Sequence, residues 1–343
     1  MSRDGSLADR YDLFIFDLDG VVYLGREPIA GAVESIGALV GGGGRVAYAT
    51  NNASRRATEV ADLLRGLGVP TRPDEVVTSA EAAARLLADR LEPGSKVLVV
   101  GGDALRAEIS DVGLRPTGTA DDHPAAVVQG YAPEVGWTHL AEAAVAVRAG
   151  ARWVATNADR TLPSSRGPLP GNGSLVAALA TALDRQPDDV VGKPAPGLFH
   201  GAAARAGATR PLVVGDRLDT DIEGAVRAGM DSLLVLTGVT SPEQLLAAPA
   251  HARPTMVAAD LRGLVETDAA VAVPVVPAGT ATVGVAGWAA GRTGRGVSLS
   301  GDGPEVAALA ALAALAWADG DVPEITADGA PAGAVLRGLR LAG

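Results

Sequence analysis

The chain contains no cysteine in 343 residues. That excludes disulfides, thiol nucleophiles and cysteine-bound metals. Lysine is nearly missing as well, with Lys96 and Lys193 the two present. Aromatics are sparse and Ala, Gly, Val and Arg abundant, which fits the coding bias of a GC-rich bacterial genome. Basic runs are lacking: arginines cluster as pairs at most, as at Arg55-Arg56, and the net charge is −11. A polyanionic partner needs a basic patch, so no nucleic acid is expected. The longest apolar tract, residues 306–317, is too short and too Ala-rich to span a membrane. Residues 1–10 lack the apolar centre of a signal peptide. The expectation is a soluble, acidic, cytoplasmic protein of two or three domains, with no membrane partner.

What is present starts at Leu13-Phe14-Ile15-Phe16, four apolar residues that read as a buried parallel strand. They run into Asp17-Leu18-Asp19-Gly20. Asp-Gly is an ordinary turn pair, but in open α/β sheets the C-terminal mouth of a strand is where ligands bind. Two carboxylates there can hold a hard divalent cation. They can also divide nucleophilic attack and proton transfer between them.

The same arrangement recurs along the chain. Residues 33–40 read as a helix stopped by four glycines, which lack the Lys-Ser/Thr of a phosphate loop. Residues 45–49 then form a strand ending in Thr50-Asn51-Asn52, a neutral anion cradle at a helix start. Ser54 is placed to cap that helix. After strand 76–78 and helix 79–91, residues 97–156 alternate strand and helix as one inserted α/β block, with Asp103 as a helix cap. Residues 157–173 read as a long irregular loop. Its Asp159, Arg160 and Arg166 are candidate substrate contacts or simply a solvated surface. Lys193 is pinned between Gly192 and Pro194 after an apolar pair, where it can act as a fixed cation. Strand 212–214 ends in Asp216, with Asp221 five residues on, and strand 233–236 ends at Thr237-Gly238.

In a parallel sheet such strand ends share one edge, so the carboxylates converge and need a cation. An all-oxygen set suits Mg²⁺. None of His123, His139, His200 or His251 falls at these ends, which argues against a histidine nucleophile or zinc. Asp17 is then the carboxylate nucleophile on phosphorus. Asp19 protonates the leaving alkoxide and later deprotonates water. Lys193 and Thr50 bind the phosphoryl oxygens.

Taken together, Asp17-x-Asp19-Gly-Val, Thr50-Asn51-Asn52, Gly192-Lys193-Pro194 and Gly215-Asp216-x₄-Asp221 resemble the four motifs of the haloacid-dehalogenase superfamily. Ala155-Thr156-Asn157-x-Asp159 and Pro170-Gly171-Asn172-Gly173-Ser174 resemble the large α/β cap of its nitrophenyl-phosphatase branch, which includes glycerol-phosphate phosphatases. The resemblance covers about residues 12–260. It implies a Rossmann-like core (residues 9–91 and 188–262) with an inserted α/β cap (92–187), and a Mg²⁺-dependent phosphatase of a small phosphorylated metabolite. It implies Mg²⁺ on the carboxylates of Asp17 and Asp216 and the main-chain carbonyl of Asp19, with Asp221 holding a metal-bound water. Asn51 would give its backbone N–H to phosphate, Asn52 would support that loop, and Asp159 would face the leaving group. Asn172 stands where the branch usually has a small residue.

Few aromatics in the cap loop disfavour a stacked pyridoxal or nucleobase ring. Glycerol 3-phosphate and then 2-phosphoglycolate are therefore the expected substrates. Pyridoxal, nucleotide or sugar phosphates, a phosphotransferase or mutase, and a non-catalytic sensor of phosphometabolites are the other readings. Beyond residue 260 the pattern stops. Residues 272–277 read as a linker, 280–288 and 297–300 as a strand pair, and 304–317 as a helix opened by Pro304. Gly291-x-x-Gly294-x-Gly296 reads as a hairpin turn. Residues 272–343 form a small α+β appendage for packing, dimerisation or regulation, which leaves a homodimer open.

Overall fold

The computed structural model describes residues 6–162, 166–294, 296–320 and 324–341. It divides into two compact units, residues 1–46 with 206–343, and residues 47–205. Among the described residues no helix is long and apolar enough to cross a membrane.

The first unit is built on the strands Leu13–Phe16, Pro211–Gly215, Asp231–Val235 and Met256–Ala258, adjacent in that order and all parallel. Leu13 to Phe16 are completely buried, because a parallel strand covered on both faces has no solvent side to alternate with. Register places Phe16 opposite Val214, and the Asp17 N–H donates to the Val214 carbonyl at 2.9 Å. Asp17 and Asp216 therefore leave adjacent strands at the same mouth. The stretch expected as a linker begins differently: Ala270–Ala272 pairs antiparallel with Met256–Ala258 and closes that edge of the sheet. Three residues are too short for a hydrophobic period to register.

The appendage belongs to this unit. Thr282–Val285, Trp288–Arg292 and Gly296–Gly301 form an antiparallel meander, and Glu324–Asp328 adds parallel to its last strand. The segment expected as one strand over 280–288 is broken at Ala286-Gly287, where Gly287 has φ +90° and a Cβ would sit 2.1 Å from the Asp302 carbonyl oxygen. Around the Gly291–Gly296 stretch, of which residue 295 lies outside the described residues, the flanking strands pair as a hairpin, with the Thr293 N–H on the Gly296 carbonyl at 2.8 Å. Helix Glu305–Asp319 links the parallel pair and is buried from Val306 through Trp317. An all-apolar helix needs partners on every side. Here they are Val283, Trp288 and Leu299 of the appendage and Leu245, Leu246 and Val257 of the core, within one cluster. Trp317 donates its indole N–H to the Leu245 carbonyl at 2.9 Å, and the Arg253 guanidinium lies 5.3 Å above its ring.

The second unit holds the rest of strand Val46–Thr50, parallel to Val76–Thr78 with Thr50 opposite Thr78. It also holds a five-stranded parallel sheet in the order Asp189–Val190, Arg152–Ala155, Ala126–Gln129, Lys96–Val100, Arg115–Thr117. The last of these contains Pro116 and takes an edge position, where a missing N–H is tolerated. Two expected caps differ. Helix Ala57–Gly66 is opened by Glu59, whose carboxylate accepts from the Arg56 N–H at 2.7 Å, while Ser54 instead donates to the Tyr131 carbonyl. Asp103 is the first residue of its helix, with Gly102 at the cap. The loop expected to be irregular carries a short hairpin, Thr161–Leu162 with Leu169–Pro170, of which residues 163–165 lie outside the described residues. Helix Asn172–Leu183 takes in the last two residues of the stretch expected as a loop.

Candidate active site

In the first unit, Asp17, Asp216 and Asp221 each offer a carboxylate oxygen, and the three lie within 4.8 Å of one another. Asp216 and Asp221 are fully buried. The backbone builds this closeness. Asp221 sits in a single π-helical turn, Leu218–Ile222, that joins the strand mouth to helix Glu223–Ala228. Such turns often mark functional positions. Its Oδ2 accepts the Arg217 N–H at 3.2 Å. Asp216 Oδ2 accepts the Val239 N–H at 2.7 Å, and a Cβ on Gly238 would lie 1.9 Å from that oxygen. The strand-end pair Thr237-Gly238 is thus a cradle that admits the Asp216 carboxylate against bare backbone. Thr237 fastens it to the first motif by donating its hydroxyl to the Gly20 carbonyl at 2.7 Å.

Buried carboxylates this close repel unless a cation compensates them. Hard anionic oxygens from three aspartates match Mg²⁺, which takes oxygen ligands and keeps several waters. The donor set fits the metal that the sequence pointed to. Asp19 stands apart from this trio: it is exposed and forms an isolated bridge with Tyr23.

In the second unit, Thr50, Asn51 and Lys193 are buried, and Asn52 and Arg160 are exposed. Thr50 Oγ1 accepts the Asn52 N–H at 3.1 Å, and Asn52 Oδ1 accepts the Ser54 N–H at 2.7 Å. These two local turns curl the loop after the strand. The Asn51 side chain takes a part that its sequence position did not disclose. Its Oδ1 accepts the Lys193 N–H at 2.7 Å, and its Nδ2 donates to the Lys193 carbonyl at 3.1 Å. The amide thereby mimics a strand neighbour and joins the second and third motifs. Gly192 makes the approach possible, since a Cβ there would fall 2.6 Å from both Asn51 Oδ1 and the Thr156 carbonyl. Asn51 Nδ2 also reaches both oxygens of Asp159, each at 3.2 Å.

Three further residues of this unit went unassigned in the sequence. Ser79 Oγ and Asn157 Nδ2 both donate to the Asn51 carbonyl at 2.7 Å. Asn172, fully buried, donates to the carbonyls of Asn157 at 2.8 Å and Gln129 at 3.3 Å. A buried Asn two residues before Asp159, and another where a small residue is usual, were the available signals.

A parallel α/β sheet whose strand mouths gather buried carboxylates suited to Mg²⁺ defines a metal-assisted hydrolase. A haloacid dehalogenase-like hydrolase model matches residues 14–115, and a HAD-hydrolase-like model matches residues 190–264. D-glycerol 3-phosphate phosphatase of Mycobacterium tuberculosis is 51% identical over 279 residues, 81% of this chain and 78% of that protein. The crystal structure of a glycerol phosphate phosphatase from the same organism, in complex with magnesium, superposes with TM-score 0.90 and 46% identity. That match covers 98% of this chain and 99% of the other. The 4-nitrophenylphosphatase of Thermotoga maritima gives TM-score 0.70 and 33% identity over 75% of this chain and 97% of its own. The chain belongs to the haloacid dehalogenase-like hydrolases.

Proposed function

We propose that this hydrolase is a Mg²⁺-dependent phosphatase acting on D-glycerol 3-phosphate through an aspartyl-phosphate. The observation that carries the reading is the close trio of Asp17, Asp216 and Asp221, the last two fully buried, in a chain 51% identical to a D-glycerol 3-phosphate phosphatase. Asp17, Asp216 and the Asp19 carbonyl would hold Mg²⁺, with Asp221 on a metal-bound water, and the ion would supply charge neutralisation for the phosphate. An Asp17 carboxylate oxygen attacks phosphorus while the bond from phosphorus to the glycerol oxygen breaks. Asp19, protonated, gives its proton to the departing alkoxide. Asp19, now a carboxylate, takes a proton from water as that water attacks phosphorus, which releases inorganic phosphate and frees Asp17. Thr50, the Asn51 backbone N–H and the Lys193 ammonium bind the phosphoryl oxygens, Asn52 supports their loop, and Asp159 and Arg160 meet the glycerol end.

The same reading divides the chain into a core of residues 9–91 and 188–262, a cap of 92–187 and an appendage of 272–343. It places the enzyme in the cytoplasm, where small phosphorylated metabolites occur, and allows a homodimer. The test is phosphate release from a panel of small monoesters with Mg²⁺, alongside EDTA and Asp17→Asn. Glycerol 3-phosphate should head the panel, and both controls should lower release by about 10³-fold or more. A folded, Mg²⁺-binding protein that releases phosphate from no member of the panel would overturn the proposal.

A further inference from the structure

A cavity of about 520 Å³ lies within the first unit, at the end of the sheet opposite the catalytic mouth. Its size is that of a small-molecule site, and the phosphatase reading makes no use of it. The walls are the segments that lead into three adjacent strands, Leu13–Phe16, Pro211–Gly215 and Asp231–Val235. Asp17 and Asp216 leave the far ends of the first two, a strand's length of about 15 Å away. Four charged side chains share the cavity: Arg10 and Arg210, Asp9 and Asp231. Opposite charges gathered in one place usually pair, yet among the described residues none of these four makes an ion pair.

Local hydrogen bonds hold them apart. The Asp12 carboxylate accepts the Thr209 N–H at 2.8 Å, the Thr209 hydroxyl at 2.9 Å and the Arg210 N–H at 2.9 Å, which fixes the backbone of Arg210 at the cavity wall. Asp231 Oδ2 accepts the Tyr11 hydroxyl at 2.7 Å, and Asp9 Oδ2 accepts the Ser6 hydroxyl at 3.2 Å. Each carboxylate keeps its other oxygen uncommitted. The Arg10 guanidinium lies 5.7 Å from the centre of the Tyr11 ring, and its Nε is buried with no hydrogen-bond partner. The Arg210 guanidinium makes no hydrogen bond among the described residues. An anion alone would meet two carboxylates in this cavity, and a cation alone would meet two guanidiniums. A ligand that carries both charges gives every one of the four its complement, and a guanidinium fork takes either a carboxylate or a phosphate. We propose that the cavity binds a small zwitterion, an ammonium joined to a carboxylate or phosphate, with its anionic end on Arg10 and Arg210 and its ammonium on Asp9 and Asp231.

The test is titration calorimetry on the full chain in EDTA, where the uncompensated aspartate trio repels anions from the catalytic mouth. The probes are β-alanine and O-phosphoethanolamine, with inorganic phosphate and ethanolamine as controls that carry one kind of charge each. At least one zwitterion should bind, at about one molecule per chain and about tenfold or more tightly than either control, the scale of one added charge-assisted hydrogen bond. The tighter of the two identifies the anionic end as carboxylate or phosphate. Arg210→Gln and Asp231→Asn should each weaken that binding about tenfold or more. Both side chains are exposed, so the variants should fold, which circular dichroism checks. Bound zwitterion should also raise the thermal midpoint of the wild type and not that of the variants at the same concentration. Controls that bind as tightly as the zwitterions, binding that survives both substitutions, or no binding of any probe would overturn the proposal. None of these outcomes touches the phosphatase reading, which stands or falls on Mg²⁺-dependent phosphate release.

Discussion

One hydrogen on Gly238 separates a usable carboxylate from a displaced one. A methyl group there would lie 1.9 Å from Asp216 Oδ2, so Gly238→Ala forces the Asp216 carboxylate out of its bond with the Val239 N–H. Mg²⁺ affinity measured by titration calorimetry should fall about 10–100-fold, the range seen when groups supporting a ligand are disturbed. Unchanged affinity would show that Asp216 does not depend on the cradle. Asp12 makes a residue-scale claim of a different kind. Burial works to raise its pKa. The N–H groups of Thr209 and Arg210, the Thr209 hydroxyl and the Arg45 charge outweigh that and hold it below the ordinary 3.8. A depressed carboxylate stabilises the fold above its unfolded pKa and loses that contribution as pH falls through the folded value. Asp12→Asn should therefore be less stable than wild type at pH 7 in urea unfolding, with the gap narrowing below 3.8. A gap that stays constant with pH would mean the charge is irrelevant. The two cases differ in legibility. Asp216 was readable because a carboxylate at an apolar strand end has no packing reason to be there, whereas Asp12 sits one residue before such a strand and looks like any turn acid. Asn157 and Asn172 were harder to read for a further reason: beyond their positions in the motifs, a neutral amide shows what it does only through partners far apart in sequence.

At the scale of elements, the sequence disclosed those long enough to show a period. Leu13–Phe16 and the start of helix Ser79–Ala88 stand where their patterns predicted them. Arg115–Thr117 and Ala270–Ala272 did not show themselves, because their order comes from neighbouring strands and not from their own composition. Helix Glu305–Asp319 was visible through Pro304 and its Ala/Leu content, but uniform apolarity conceals which neighbours it packs against. The structure answers that with Trp288 and Leu299 on the appendage and Leu245 and Val257 on the core. Leu312 is 1% exposed at the middle of this helix. Leu312→Ala should cost about 2–5 kcal/mol, the usual range for a buried leucine, read by urea unfolding. A loss below about 1 kcal/mol would mean the surrounding alanines collapse to fill the space.

For the whole molecule, the continuous cluster from Ile222 and Leu234 to Trp317 and Leu336 makes the appendage part of the first unit's core. A tethered regulatory module would carry its own core and leave the catalytic sheet covered when removed. Here the side chains that close the sheet over Val257 and Val271 come from residues 283–336. Removing residues 272–343 uncovers Leu245, Leu246 and Val257 as one apolar patch, of the kind that drives association. The truncated chain should therefore be recovered as aggregates, and the intact first unit should unfold in calorimetry without a separate transition for the appendage. Leu312→Ala supplies the complementary reading, because one cooperative unit must carry the effect of that mutation to the catalytic sheet. Its midpoint followed by Mg²⁺-dependent phosphate release should fall together with the midpoint followed by circular dichroism. A monodisperse, active truncation, or activity that outlasts the melting of the appendage, would show that residues 272–343 are a separable module.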